Sequence, residues 1–413
     1  SCYITSLPMR MANRIFEDPD SDPEQDPYGS VSGGIDHPGL LLLVHPRPLI
    51  VASAVKDFVP IEGARRTFRE IEAIYRRFGG AGRVAMVEGY HEHRFSDENQ
   101  DAVFAFLDRF NGLSARHGFE PFTPLPAEAL RCTATGQVRV DLEDDRPLVE
   151  IIRDYHRATR GSGAGTLGAL YRSASFPRID AWPVVPWDRV TPRAAIAWEA
   201  RGTTAVGGIS IDRYVVRHSG GLVMPLLHVH PTGVEHPTAT PARPVLLDLS
   251  LDGKATPADW AALRARLDAG FDVVSFDLRG TGETRMRYRA ASVDDPTLAP
   301  ADEEAAYADP LSGVLANYVY NSLLTGRPYF LEMLEDVEVA ARFSRAKLGA
   351  ARVAVAGRGD ASLLARAAGD VLPGVEWIPG DPADPAFSWS EAVESLTETW
   401  PIQYLLPGGA RLR

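Results

Sequence analysis

Two short stretches carry residue types that could do acid–base chemistry. In SAVKDFVP, residues 53–60, an apolar segment ends and Asp57 follows at once, with Pro60 stopping continuation. In VEGYHEHRFS, residues 87–96, a second apolar segment ends near Glu88 and two histidines follow, His91 and His93. A carboxylate just beyond a strand can hold an imidazole in one tautomer and stabilise its charged form. An imidazole in such a loop can take a proton from a hydroxyl. Each stretch alone is ambiguous. An aspartate after a strand is commonly a turn or N-cap residue, and H-x-H is commonly two surface histidines. As a metal pair, His91 and His93 have no evident third ligand in the sequence. Together the stretches say more. The acid and the histidines follow successive strands, in the order in which a Ser…Asp…His constellation ends. Neighbouring strands lie about 5 Å apart, so loops leaving both can bring the two side chains within reach.

A third stretch, VAVAGRGDASLLARAAG at residues 353–369, runs from an apolar strand through a small-residue turn into an alanine-rich helix. A turn that presents a catalytic serine needs small residues two before and two after it. Gly357 and Ala361 satisfy that spacing, but the central residue is Gly359, which has nothing to attack with. No G-x-S-x-G occurs in the 413 residues. Asp360 as nucleophile would put Arg358 where a small residue is needed. An ordinary strand–glycine–helix turn stays open as a reading. Upstream, LDLSLDGK (247–254) stands where an oxyanion-binding loop would follow a strand, and FDLRGTGET (276–284) is a strand end with a glycine-punctuated turn. Lys254 and Arg279 in them read as solvated or structural.

The elements that must position these residues follow from periodicity. Residues 48–56 read as a buried strand, 62–79 as a helix closed by Gly79–Gly80, 83–88 as a strand and 98–110 as a helix. This is an open α/β unit with a parallel pair, connected in the usual right-handed way. SCYITS at the start reads as the end of a buried strand, followed by an acidic, Pro/Gly-rich loop. Residues 113–190 are polar, with a hairpin-like piece, LRCTATGQVRVDL, and one helix at 148–160; they read as a connecting segment. From 191 onward strands return, first with short links and then alternating with helices at 257–269 and 330–348. That pattern predicts a mixed sheet with an antiparallel start and a parallel remainder. The domain reading is therefore 1–112, 113–190 and 191–413.

Bulk properties bound the function. Formal charge is −12, from 43 basic and 55 acidic residues. Nucleic acid and anionic membrane surfaces, which need a basic face, are not the expected partners. Two cysteines, Cys2 and Cys132, exclude a disulfide framework and any CxxC metal spacing. No apolar run is long enough to cross a bilayer. No cofactor or metal is expected, and the compartment is not readable.

The phrases HPRPLIVASAVKDFVPIEGA and HRFS, within residues 45–96, resemble the C-terminal half of the acetyl-xylan-esterase-like α/β hydrolases. The resemblance implies that Asp57 is the acid and His93 the histidine, with His91 the runner-up. LRCTATGQV is similar to the junction of two-domain members. Residues 191–413 resemble, more loosely, the N-terminal two-thirds of a second hydrolase domain that departs from the family at Gly359. The fold class implied is α/β, α/β-hydrolase-like, a mostly parallel sheet flanked by helices, in tandem domains with the second degenerate. The implied activity is hydrolysis of a saccharide ester or other small-molecule ester, and family habit suggests export. Three accounts stay open for the serine. A preceding segment of polypeptide supplies it; the chain works without one, as a non-catalytic binding protein; or residues 1–112 complete the sheet of 191–413. The first is the expectation, because an open half-domain exposes unpaired backbone groups.

Overall fold

The computed structural model describes residues 4–12, 25–57, 59–114, 123–161, 165–173, 183–187, 195–218, 221–233, 243–285, 307, 313–380, 388–397 and 400–412. The chain divides into two compact units: residues 1–145 with 288–326, and residues 146–287 with 327–413.

In the first unit, β1 (Leu49–Ala54) and β2 (Val84–Gly89) form a parallel pair, with Leu49 opposite Val84 and Ala54 opposite Gly89. The helix Ile61–Arg77 makes the crossover between them. It turns Ile61, Ala64, Ile71 and Tyr75 inward, the i, i+3 and i+4 spacing that one buried helical face requires. Ile61 and Ala64 pack with Val51 and Ile4. The helix Asp97–Asn111 follows β2, capped by the Ser96 hydroxyl on the Asn99 N–H and closed by Gly112 in the left-handed conformation. The amide N–H groups of Gly29 and Val31 bond the carbonyls of Leu323 and Leu324, at the end of the helix Val314–Leu324.

Two expectations in this unit are corrected. Of SCYITS, residues 1–3 lie outside the described residues and 4–6 are in no strand; the helix Leu7–Ala12 follows, its Leu7 N–H taken by the Asp36 carboxylate at 2.8 Å. LRCTATGQVRVDL is not a hairpin either. Its described residues include the end of a 3₁₀ turn, Ala127–Leu130, and a helical turn, Val138–Asp141. Asp141 accepts from both the amide and the hydroxyl of Thr135 at 2.8 and 2.7 Å, so a local side-chain bond displaces a cross-strand ladder.

The second unit is built on an eight-stranded sheet in the order β10-β9-β7-β8-β6-β5-β4-β3. Its strands are β3 (Val184–Pro186), β4 (Ile196–Val206), β5 (Ile209–His218), β6 (Val223–Pro231), β7 (Val245–Leu249), β8 (Asp272–Phe276), β9 (Val353–Gly357) and β10 (Val375–Trp377). β4, β5, β6 and β8 run antiparallel to their successive neighbours; β8, β7, β9 and β10 are parallel. This is the α/β-hydrolase-like architecture expected: an antiparallel start, then parallel strands flanked by helices. β8 and β9 are buried at every residue, which is why they read as continuous apolar runs. The helix Tyr329–Leu348 packs almost wholly inside, and Trp260–Asp268 seats Leu263 and Leu267 against Ile209, Val229 and Val273. Among the described residues no ladder joins β1 and β2 to the eight-stranded sheet.

Candidate active site

β1 and β2 end side by side, and the chain beyond them is stitched by backbone bonds. The Val55 N–H donates to the Gly89 carbonyl at 2.9 Å and the Lys56 N–H to the His91 carbonyl at 3.0 Å. These bonds hold the two exit loops together, so Asp57 and His93 meet. His93 Nδ1 lies 3.2 and 3.1 Å from the two carboxylate oxygens of Asp57. The Asp57 carboxylate is fully buried, whereas 39% of the His93 side chain is exposed. Asp57 Oδ1 also accepts the Val59 N–H at 3.1 Å, which fixes the carboxylate in its turn. A carboxylate can only accept, so Nδ1 carries the proton and Nε2 is the ring's acceptor nitrogen.

His91 stands elsewhere. It is buried, its Nδ1 lies 2.6 Å from the Glu92 carbonyl, and its Nε2 lies 3.3 Å from the Asn99 amide. Asn99 in turn donates to the Ser53 carbonyl at the end of β1. His91 therefore ties the loop to the helix Asp97–Asn111 and to β1. Gly89 makes room for it, since a Cβ there would come within 2.3 Å of His91 Nε2. Behind the loop, Arg65 of the crossover helix makes a two-pronged pair with Glu88 at 2.8 and 2.6 Å. The guanidinium holds the Glu88 carboxyl below the usual carboxylate range.

The glycine turn of the second unit carries no side chain at its centre. Gly359 has φ +53°, and a Cβ there would meet nothing within 4 Å. At Gly357 a Cβ would lie 2.2 Å from the Ala361 carbonyl oxygen, so the small residue two before the centre is a steric requirement. The turn follows β9, beside β7, where the chain leaves to opposite sides of the sheet; such a switch point opens a crevice. Here it is a cavity of about 250 Å³ lined by Asp248, Asp259, Arg266, Arg358 and Gly359. Arg358 pairs with Asp259 and Asp248, so ion pairs line the crevice. Burial pushes the Asp248 carboxyl up.

Lys254 and Arg279 are structural. Lys254 reaches Asp277 at 2.9 Å, and Asp277 also takes the Lys254 and Glu283 amides at 2.7 and 2.9 Å. Gly282, with φ +50°, lets the chain pass, because a Cβ would come within 2.1 Å of Asp277 Oδ1. Arg279 is held at 3.0 Å by each of Glu332, Glu335 and Asp336.

Sequence reasoning missed one constellation. Asp212 on β5 and His228 and His230 on β6 bring their donor atoms within 4.8 Å of one another. The visible signal was the H-x-H of LLHVHP, which puts both rings on one face of a strand. Its partner is sixteen residues away and is placed only by strand register.

No family model and no curated protein matches the chain. Among solved structures it is similar to an acetyl xylan esterase from Paenibacillus sp. R4, at 18% identity, covering 56% of this chain and 62% of that one, with TM-score 0.32. It is similar to acetyl xylan esterase 1 from Thermoanaerobacterium sp. JW/SL YS485, at 18% identity over 56% and 61% of the two chains, TM-score 0.31. It is also similar to a Bacteroides fragilis protein provisionally described as an acetyl xylan esterase, at 12% identity over 65% and 72%, TM-score 0.43. The chain thus spans less than two thirds of the length of the first two.

Proposed function

We propose that the Asp57–His93 pair belongs to a carboxylic-ester hydrolase acting on acylated carbohydrate. The observation that supports it is the 3.1 Å approach of His93 Nδ1 to a buried carboxylate from the neighbouring strand end. In this reading a serine hydroxyl from polypeptide outside this sequence attacks the acyl carbon. His93 Nε2 takes the hydroxyl proton and passes it to the departing alcohol oxygen. Asp57 orients the ring and stabilises the imidazolium formed on the way. A water then repeats the sequence on the acyl-enzyme, releasing the acid. Backbone N–H groups hold the oxyanion in both halves. The carbohydrate part rests on the sequence resemblance at residues 45–96.

The test is p-nitrophenyl acetate hydrolysis by the native polypeptide carrying these residues, wild type against Asp57→Asn. An aspartate that sets the histidine tautomer is worth about 10⁴-fold in turnover, and a loss of that order is expected. Unchanged turnover in Asp57→Asn rejects the role.

Gly359 favours a second reading, a non-catalytic α/β-hydrolase-like protein that binds a ligand. Under it, no preparation of the polypeptide turns over an ester.

A further inference from the structure

In the second unit, β5 and β6 pair antiparallel with Asp212 directly opposite His228, and His230 lies two residues along on the same face. Asp212 Oδ2 is 3.2 Å from His230 Nε2 and 3.7 Å from His228 Nδ1. The two rings stack with centroids 4.6 Å apart. The outer nitrogen of each ring faces an acceptor. His230 Nδ1 lies 3.1 Å from the Pro231 carbonyl and its Nε2 3.2 Å from Asp212 Oδ2; both neighbours only accept, so in the tautomer with its proton on Nδ1 the Nε2 lone pair faces Asp212. His228 Nε2 lies 3.5 Å from Asp272 Oδ2, and Asp272 is held by Arg243 at 2.8 Å. With its proton on Nε2, His228 aims the Nδ1 lone pair at the same Asp212 oxygen.

Two imidazole nitrogens and a carboxylate oxygen thus come within 4.8 Å of one another. A divalent cation held among them would take the place of the proton between His230 and Asp212. A carbonyl or carboxylate on the far nitrogen of each histidine is the arrangement that fixes tautomer and ring orientation around a metal ion.

We propose that Asp212, His228 and His230 bind one divalent transition-metal ion of the zinc class. Imidazole and carboxylate ligands suit that class. A tetrahedral ion with bonds of ~2.1 Å keeps its ligand atoms about 3.4 Å apart. The two separations from Asp212 already bracket that value, and the two rings need only draw together. Asp212 and His230 are 22% and 13% exposed and His228 is 1% exposed, so the ion enters from the Asp212 side and keeps one position for water. It clips β5 to β6. The site lies in a different unit from Asp57 and His93 and does not depend on their role.

Equilibrium dialysis of the full chain against zinc chloride tests this, with cobalt(II) as a spectroscopic probe. One equivalent of zinc is expected, with affinity falling at least tenfold in His230→Ala and Asp212→Asn. The double variant His91→Ala/His93→Ala should keep the full stoichiometry. Cobalt-loaded wild type should show the intense visible absorption of a four-coordinate centre, a readout that stands even where a variant fails to fold. No saturable binding, binding unchanged in both site variants, or only the faint spectrum of six-coordinate cobalt overturns the proposal.

Discussion

Burying the Asp57 carboxylate costs solvation that only hydrogen bonds can return. Two donors do so, the Val59 amide and His93 Nδ1, both within 3.2 Å. The consequence falls on the histidine, whose Nδ1 proton is committed to the carboxylate. NMR of a ¹⁵N-histidine-labelled chain should show His93 as the Nδ1–H tautomer, with its Nδ1 proton shifted downfield and protected from exchange. Asp57→Asn should abolish that signal; a persistent Nε2–H tautomer in the wild type contradicts the assignment. Asp57 and the pair of histidines could be read from their positions after successive strands. Position alone could not say which histidine faces the acid, because His91 and His93 differ only in where one short loop turns them; only the family resemblance pointed to His93. Asn99, which claims His91, lies on the next helix.

Strands and helices with strong periodicity were readable: β1, β2 and the helices flanking them, and the antiparallel-then-parallel run of the large sheet. The elements that escaped have local or tertiary causes. Leu7–Ala12 is helical because Asp36, far along the chain, takes its first amide. Val314–Leu324 mixes aromatic and β-branched residues and is buried on most sides, so it shows no helical stripe. The helix Tyr329–Leu348 holds Glu332, Glu335 and Asp336 around one guanidinium, Arg279, which its neighbours keep charged by raising its pKa well above the ordinary value even though burial opposes this. Removing one member of a buried ion network typically costs about 3–5 kcal/mol, and Arg279→Met should lower stability by that order in urea unfolding. The pH dependence has a definite sign. Burial pushes the Asp336 carboxyl up, and Arg279→Met removes the guanidinium that opposes this, leaving the amide of residue 279. A group whose folded pKa lies above its unfolded value binds protons more tightly when folded. The variant should therefore regain stability as pH falls through that raised value, relative to wild type. A deficit that stays constant with pH contradicts this.

At the scale of the molecule, the two compact units carry different features. The first holds the Asp57–His93 pair; the second holds the large sheet and a glycine turn whose crevice is lined by Arg358 paired with Asp248 and Asp259. Net charge of −12 fits a neutral substrate better than a polyanion. No helix among the described residues is long and apolar enough to cross a membrane. The division at residue 145 was not visible in composition, since residues 113–190 are polar throughout and their described helices are short. The account turns on His93 acting and His91 only supporting. The most direct measurement is the turnover of p-nitrophenyl acetate by the native polypeptide as His93→Ala and as His91→Ala, each checked for folding. The account predicts a loss of about 10³-fold or more for His93→Ala, with His91→Ala folded and substantially active. Wild-type turnover in a folded His93→Ala variant would contradict it.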